Sequence, residues 1–381
     1  MPIRTFQIGL EWFPEHGGGL DRYYHDLVTL GEGDKLAIAG AVAGNGGAEH
    51  ETQGRITSFA PATAGLPRRL ACARTTIRRG IAAHRSDIVA SHFALYALPV
   101  LDRIDRPFVV HFHGPWAAEA STQRGGRRIA NGLQRWMERR VYRRADRVIV
   151  LSDAFARLVH RDYGVDADRI MVVPGSIRTD RFEQAGLSRD DAREALAWPR
   201  ERRILLSVRR LVRRMGLERL IDAMVPVVRR HPDLLLLIAG KGPEEAALRE
   251  RIAAQDLAGH VRLLGFVPDH ALPLAYRAAD CSIVPTIDLE GFGLIAAESL
   301  AAGTPAIVTP VGGLPEVVAP LSPSLVLPGA EIEQIGAGVL AWANGDLAMP
   351  DGAACRNYAR AMFSWEVGIT RLADAYRAVL A

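Results

Sequence analysis

The feature that most narrows what this chain can fold into is the character of its strands. Phe6–Leu10, Ile88–His92, Phe108–His111, Arg147–Leu151 and Met171–Val173 are short runs, apolar almost throughout. So are Ile204–Val208, Leu234–Ala239, Val261–Leu264, Cys281–Val284 and Ala306–Val308. A strand that faced water on one side would alternate apolar with polar. Continuous runs belong to strands covered on both faces, which means parallel sheets under helices. Helical periodicity separates the runs, so the pattern predicts an α/β, doubly wound architecture. The series restarts near Arg203, and 381 residues leave room for two such sheets. A polar stretch, Ser188–Arg202, lies between the halves. The expected division is 1–187 and 188–364, followed by an amphipathic helix in 365–381 with Val367, Leu372, Tyr376 and Leu380 on one face.

Composition excludes several classes. Apolar residues make up 49% and charged residues 24%, as in ordinary globular proteins. Cys72, Cys281 and Cys355 are far apart, so neither a disulfide framework nor a Cys-x-x-Cys metal site is expected. No run of about 18 apolar residues occurs and the N-terminus does not read as a signal peptide, so a cytoplasmic location is expected. The net charge of +4 is carried almost wholly by arginine, with its excess in the N-terminal half. Arg124, Arg127, Arg128, Arg135, Arg139, Arg140, Arg143 and Arg144 accompany Leu133, Trp136, Met137 and Val141 at helical spacing. Two readings of that helix stand: a peripheral contact with an anionic membrane at the inner surface, or a core-packed helix with a solvated basic face. No nucleic-acid recognition module is present.

Two strand-to-helix loops carry glycine. Gly17-Gly18-Gly19 precedes a helix marked by Leu20, Tyr23, Tyr24, Leu27 and Val28, and Glu290-Gly291-Phe292-Gly293 leads into a helix from Leu294. Such a loop presents free N–H groups and the positive end of the helix dipole, which suits phosphate. In open α/β sheets these loops lie where ligands bind. Glu290 and Glu298 form a Glu-x7-Glu pair with the first in the loop and the second one turn into the helix. One carboxylate can accept from sugar hydroxyls and the other from a ribose, while the amides of Phe292, Gly293 and Leu294 hold phosphate oxygens.

The string from Glu290 through Pro305, with Gly312-Gly313-Leu314-Pro315-Glu316 beyond it, resembles the retaining glycosyltransferases of family 4, which have the GT-B fold. Phe13-Pro14 with Gly18-Gly19-Leu20, His111-Phe112-His113-Gly114, Ala145–Ser152, Ala239–Pro243 and Leu264–Val267 are similar to further family motifs in the same order. The resemblance implies two facing Rossmann-like domains with a cleft between them. It implies transfer of a hexose, with retention, from a UDP- or GDP-linked sugar to an acceptor hydroxyl, in polysaccharide or glycolipid biosynthesis. Carried over, Gly18 and Gly19 approach the donor diphosphate, His113 binds a donor-sugar hydroxyl and supports developing positive charge, and Arg210 neutralises the diphosphate. Val267 meets the base, Glu290 the sugar and Glu298 the ribose. No metal or cofactor is implied, since the nucleotide sugar is itself a substrate.

The chain departs from the family at two places. The lysine that usually precedes the glycine after Arg210 is replaced by Met215, and a thioether cannot stabilise a leaving diphosphate. Either Arg213 or Arg214 can take its place, Arg214 being the nearer in sequence, or Arg210 acts alone. In Gly175-Ser176-Ile177-Arg178 the family usually has an asparagine or glycine, then a glycine where Ser176 stands, and an aspartate where Arg178 stands. Two alternatives follow: a catalytically weak or non-catalytic nucleotide-sugar-binding subunit, and a nucleotide-sugar 2-epimerase. The dinucleotide and Walker patterns are incomplete here, and Asp166-Ala167-Asp168 reads as a solvated turn.

Overall fold

The computed structural model describes residues 1–116, 128–183 and 186–381. The chain divides into two compact units, Met1–Ser176 with Trp365–Ala381, and Ile177–Ser364.

The first unit holds seven parallel strands: β1 (Ile3–Glu11), β2 (Leu36–Ala43), β3 (Ile56–Ser58), β4 (Ile88–Ser91), β5 (Phe108–Phe112), β6 (Arg147–Val150) and β7 (Ile170–Val172). Their spatial order is β3-β2-β1-β4-β5-β6-β7. One face is covered by a core that includes Phe6, Ile77, Ile81, Phe108 and Phe112, drawing on the helix Leu66–His84. The other face buries Tyr23, Tyr24, Leu27 and Val28 of the helix Gly19–Leu30 together with Trp365, Leu372 and Tyr376 of the helix Trp365–Leu380. Burial on both faces is what the unbroken apolar runs require.

The second unit holds β8 (Arg203–Val208), β9 (Leu234–Ala239), β10 (Val261–Gly265), β11 (Cys281–Val284) and β12 (Ala306–Val308), in the order β10-β9-β8-β11-β12 and again all parallel. All six residues of β9 are buried.

The division between units comes at Ser176/Ile177, ahead of the 187 read from the sequence. The short segment after it is tied into the second unit: Phe182 packs on Tyr276 with ring centroids 6.0 Å apart, and Arg360 pairs with Glu183 at 2.6 Å. Ser176 is itself buried, and a Cβ added at Gly368 of the last helix would lie 1.8 Å from its Oγ. The unusual serine is therefore a packing residue beneath that helix. Asp166 precedes the single 3₁₀ turn Ala167–Arg169 and is exposed, as a solvated turn should be.

In each sheet the strand order reverses once, between β1 and β4 and between β8 and β11. Ligands of open α/β sheets collect beyond the carboxyl ends of the strands at such reversals. His92 follows β4, His113 follows β5, Arg209 follows β8, and Thr286 and Glu290 follow β11.

Candidate active site

In the second unit the site is organised around Glu290. Its Oε2 accepts from Arg209 Nη2 and, at 3.2 Å, from Thr286 Oγ1, and Arg209 Nη2 also donates to Thr286. The Arg209 and Glu290 side chains are 6% and 13% exposed, so this is a buried ion pair. Burial alone would push Glu290 up. The charge and hydrogen bond of Arg209, the charge of Arg214 and the Thr286 hydroxyl outweigh it and hold the carboxyl below its ordinary value. Both contacts fall on Oε2, which leaves Oε1 for a ligand hydroxyl.

The sequence points to Arg210; the structure adds its neighbour, Arg209. Arg210 is exposed and makes no ion pair among the described residues, so it remains available to an anion. The end of β8 is held by its surroundings. Arg209 N donates to Ala239 O at 2.8 Å, and Leu211 N to Lys241 O at 3.0 Å. Gly240 has φ +143° and a Cβ there would lie 1.8 Å from Arg209 O. The Ala239–Pro243 motif thus serves to let one strand end pass the backbone of Arg209. On the other side, Gly312 (φ +58°) lies so close to Glu290 O that a Cβ would come within 1.9 Å, and Gly313 N donates to that same oxygen at 3.1 Å.

The Glu290–Gly293 loop opens the helix Leu294–Ala301, with Gly293 in the left-handed region at φ +92°. Phe292 is a packing residue, its ring 5.5 Å from that of Phe363. The amides of Phe292, Gly293 and Leu294 find no acceptor among the described residues, which leaves them for an anion. Glu298 Oε2, one turn on, accepts from Tyr276 OH at 3.3 Å. Burial first, then the charge of Glu298, pushes the Tyr276 hydroxyl far up, so it stays a donor. Val267 lies in the loop after β10, half-buried, beside the exposed Phe266.

Met215 is buried, so the residue in the lysine slot is part of the core. Arg213 is exposed, whereas Arg214 Nη1 donates to Leu289 O at 2.8 Å, one residue from Glu290. Of the two candidates the structure brings Arg214 to the loop.

In the first unit, Gly18 caps the helix Gly19–Leu30, and a Cβ on it would lie 2.5 Å from Asp21 Oδ2. A Cβ on Gly19 would meet nothing within 4 Å. His16 holds this loop, 2.7 Å from Glu11 and 3.1 Å from Asp21. His113 stands just past β5. Burial pushes its pKa down to about 3, so the ring is neutral and carries no charge of its own toward a developing cation. Its Nε2 is 3.1 Å from Nδ1 of His92, a second residue the sequence reading did not single out. His111 points the other way, into the core, with Nε2 2.9 Å from Tyr376 OH.

The helix Arg128–Arg144 divides its expected apolar face. Val141 is buried and Met137 packs on the core, while Leu133 and Trp136 are 58% and 55% exposed. Several of its arginines are engaged: Arg139 and Arg135 donate to Asp162 O, Arg143 to Tyr163 O and Arg144 to Ile104 O. Arg140 lies 6.0 Å from the Trp136 ring. Arg124 and Arg127 lie outside the described residues. No helix among the described residues is long and apolar enough to cross a membrane.

Two parallel sheets, each with its candidate site residues at the reversal of strand order, define a two-domain α/β protein. Residues 17–181 match the family model described as Glycosyltransferase Family 4, and residues 188–362 the one described as Glycosyl transferases group 1. The chain belongs to the GT-B glycosyltransferases of the family-4 type. It is 31% identical over 212 residues to a GDP-mannose-dependent phosphatidylinositol monomannoside mannosyltransferase of Mycobacterium tuberculosis, covering 54% of this chain and 55% of that one. It is 32% identical over 263 residues to a D-inositol 3-phosphate glycosyltransferase of Corynebacterium urealyticum, covering 65% and 60%. The match thus spans little more than half the length of these curated relatives. Among solved structures, sucrose-phosphate synthase from Thermosynechococcus elongatus superimposes with a TM-score of 0.77 at 22% identity, covering 99% of each chain.

Proposed function

We propose that this chain transfers a hexose from a UDP- or GDP-linked sugar to an acceptor hydroxyl, with retention of anomeric configuration. The observation that carries the reading is the Arg209–Glu290–Thr286 cluster at the entrance of a glycine loop in which the Phe292, Gly293 and Leu294 amides find no acceptor among the described residues. In this reading Glu290 Oε1 takes the sugar hydroxyls and Glu298 the ribose. Arg210, Arg214 and the loop amides stabilise the departing diphosphate. Val267 meets the base, and His113 accepts from a sugar hydroxyl. With Glu290 committed to Arg209, a front-face displacement in which the leaving phosphate takes the acceptor proton fits better than a covalent glycosyl-enzyme; trapping such an adduct would refute it. A retained Glu290 and Glu298 favour transfer over 2-epimerisation, and Arg214 at the loop answers the loss of the usual lysine.

The 31% identity to GDP-mannose-dependent relatives makes GDP the first donor base to test, and makes a lipid-linked or polyol acceptor the first acceptor class. The exposed Leu133 and Trp136 with Arg140 fit a peripheral contact with an anionic membrane at the cytoplasmic face.

The test is a thermal-shift panel of UDP, GDP, ADP and their sugars on the wild type, Glu298→Ala and Arg210→Ala. A ligand bound only by the folded state raises the midpoint by mass action, by about 2.7 kcal/mol of stability at a hundredfold excess over Kd. One nucleotide that stabilises the wild type and neither variant supports the reading. No shift from any nucleotide would overturn it.

A further inference from the structure

Behind His113 the first unit carries a continuous polar file through its core. His92 Nδ1 is 3.1 Å from His113 Nε2, and His92 Nε2 is 2.9 Å from Gln7 Oε1. Gln7 Nε2 donates to Thr5 Oγ1 at 3.0 Å and to Tyr376 OH at 3.2 Å, and Tyr376 OH meets His111 Nε2 at 2.9 Å. Gln7, His92, His111 and Tyr376 are all buried, at 0 to 3% exposure. Tyr24 OH donates to Gln7 O at 3.1 Å from the other side.

The amide of Gln7 sets the direction of the file. As placed, both its N–H groups have acceptors and its oxygen faces His92. Turned over, it would present one N–H to His92 and leave the second buried without an acceptor, at a cost of about 1–3 kcal/mol. With the oxygen toward His92, that ring must carry its proton on Nε2, since Gln7 Oε1 can only accept. Its Nδ1 is then a bare lone pair, and His113 must donate to it from Nε2. The remaining nitrogen of His113, Nδ1, has no partner among the described residues and is left as an acceptor.

A shared metal is the competing account, because donor atoms of His92, His111 and His113 lie within 4.8 Å of one another. Ring geometry rejects it. The His92 and His113 planes are 25° apart with centroids at 5.3 Å, so the rings meet nearly edge to edge along the 3.1 Å line. A metal about 2.0–2.1 Å from both nitrogens would have to stand off that line, away from the ring-plane lone pairs that point along it. His111 is stacked on His92 at 4.2 Å and 23°, which puts its lone pairs in a separate plane.

The geometry points to Gln7, with His92 as the intermediary and Tyr376 as the brace, as the residue that fixes His113 in its Nε2–H form. Gln7, His92 and Tyr376 are positioning residues, and this role rests on the proposed binding of a sugar hydroxyl by His113. The consequence is chemical. His113 offers a lone pair to a ligand hydroxyl and has no proton to give to a glycosidic oxygen, so it orients the donor sugar and is not a general acid.

The experiment reads the tautomer directly in the ligand-free protein by ¹⁵N NMR of labelled histidine, where bare and protonated ring nitrogens are well separated, with His113→Asn providing the assignment. The wild type is expected to show a protonated Nε2 and a bare Nδ1 on His113; the opposite pattern overturns the proposal. Gln7→Met removes the acceptor from His92 and is expected to invert both rings, moving the His113 proton to Nδ1. Gln7→Glu, which keeps an acceptor there, is expected to retain the wild-type form. A Gln7→Met protein with unchanged tautomers also overturns it. If Gln7→Met does not fold, the wild-type spectrum and Gln7→Glu still decide. With a nucleotide sugar that passes the thermal panel, Gln7→Met is expected to lose at least about tenfold in kcat with the nucleotide shift preserved; equal kcat counts against the role. A panel in which no nucleotide binds sinks the transferase reading and leaves the tautomer result standing.

Discussion

At the scale of single residues the second unit is governed by one buried charge pair. Arg209 and Glu290 are largely withdrawn from water, and the pair is worth having only while both members remain. Arg209→Met should therefore cost about 3–5 kcal/mol of stability, because it leaves a carboxylate buried without its main counter-charge. Adding Glu290→Gln should recover part of that loss. A double-mutant cycle by urea denaturation is expected to give a coupling of about 0.5–3 kcal/mol, and strictly additive losses would mean the two side chains do not interact as described. Two consecutive arginines after a strand look alike in a sequence. What separates them is which side of the strand end each one faces, and the contacts of Arg209 with Thr286 and Glu290, beside an exposed Arg210, reveal it. Glu290, Glu298 and the loop glycines were legible because their chemistry is bound to spacing within one segment. His92 and Gln7 were not, since they join His113 only through strand order.

At the scale of elements, all five strands of the second unit were readable as apolar runs, and five of seven in the first. The two missed were β2 and β3. β2 reads Leu-Ala-Ile-Ala-Gly-Ala-Val-Ala, whose small residues carry little strand propensity even though nearly all are buried. β3 is three residues long and becomes a strand only by pairing with β2. The amphipathic final helix was evident from its period, but not that Gly368 is its seat. Gly368→Ala would drive a methyl into Ser176, and overpacking of this kind costs about 1–3 kcal/mol. Ser176→Gly in the same chain should restore most of it, as read by thermal or urea unfolding. If Gly368→Ala is silent, the helix does not sit where it is described.

At the scale of the whole molecule, the buried His92 and His111 and the half-buried His113 tie stability to pH. Burial holds His113 down at about 3 and His92 and His111 well below their ordinary value, so the native chain leaves them uncharged. The unfolded chain protonates them near pH 6.5 and thus binds more protons, so stability rises with pH in this window and is lost as pH falls from about 6.5 toward 3. Unfolding free energy measured between pH 7 and 5 should fall, and His113→Asn should make the fall shallower by up to one proton's worth, about 1.36 kcal/mol per pH unit. A slope unchanged by that substitution would contradict neutral burial. The same unit is assembled from two distant stretches of chain, Met1–Ser176 and Trp365–Ala381. Synthesis delivers them in order, and Trp365, Leu372 and Tyr376 leave the ribosome only after Ile177–Ser364. Ile177–Ser364 is contiguous and is complete before they emerge. Domains generally fold in the order they are made; here the part made first must wait, with the face beneath its final helix uncovered, until the part made second is already whole.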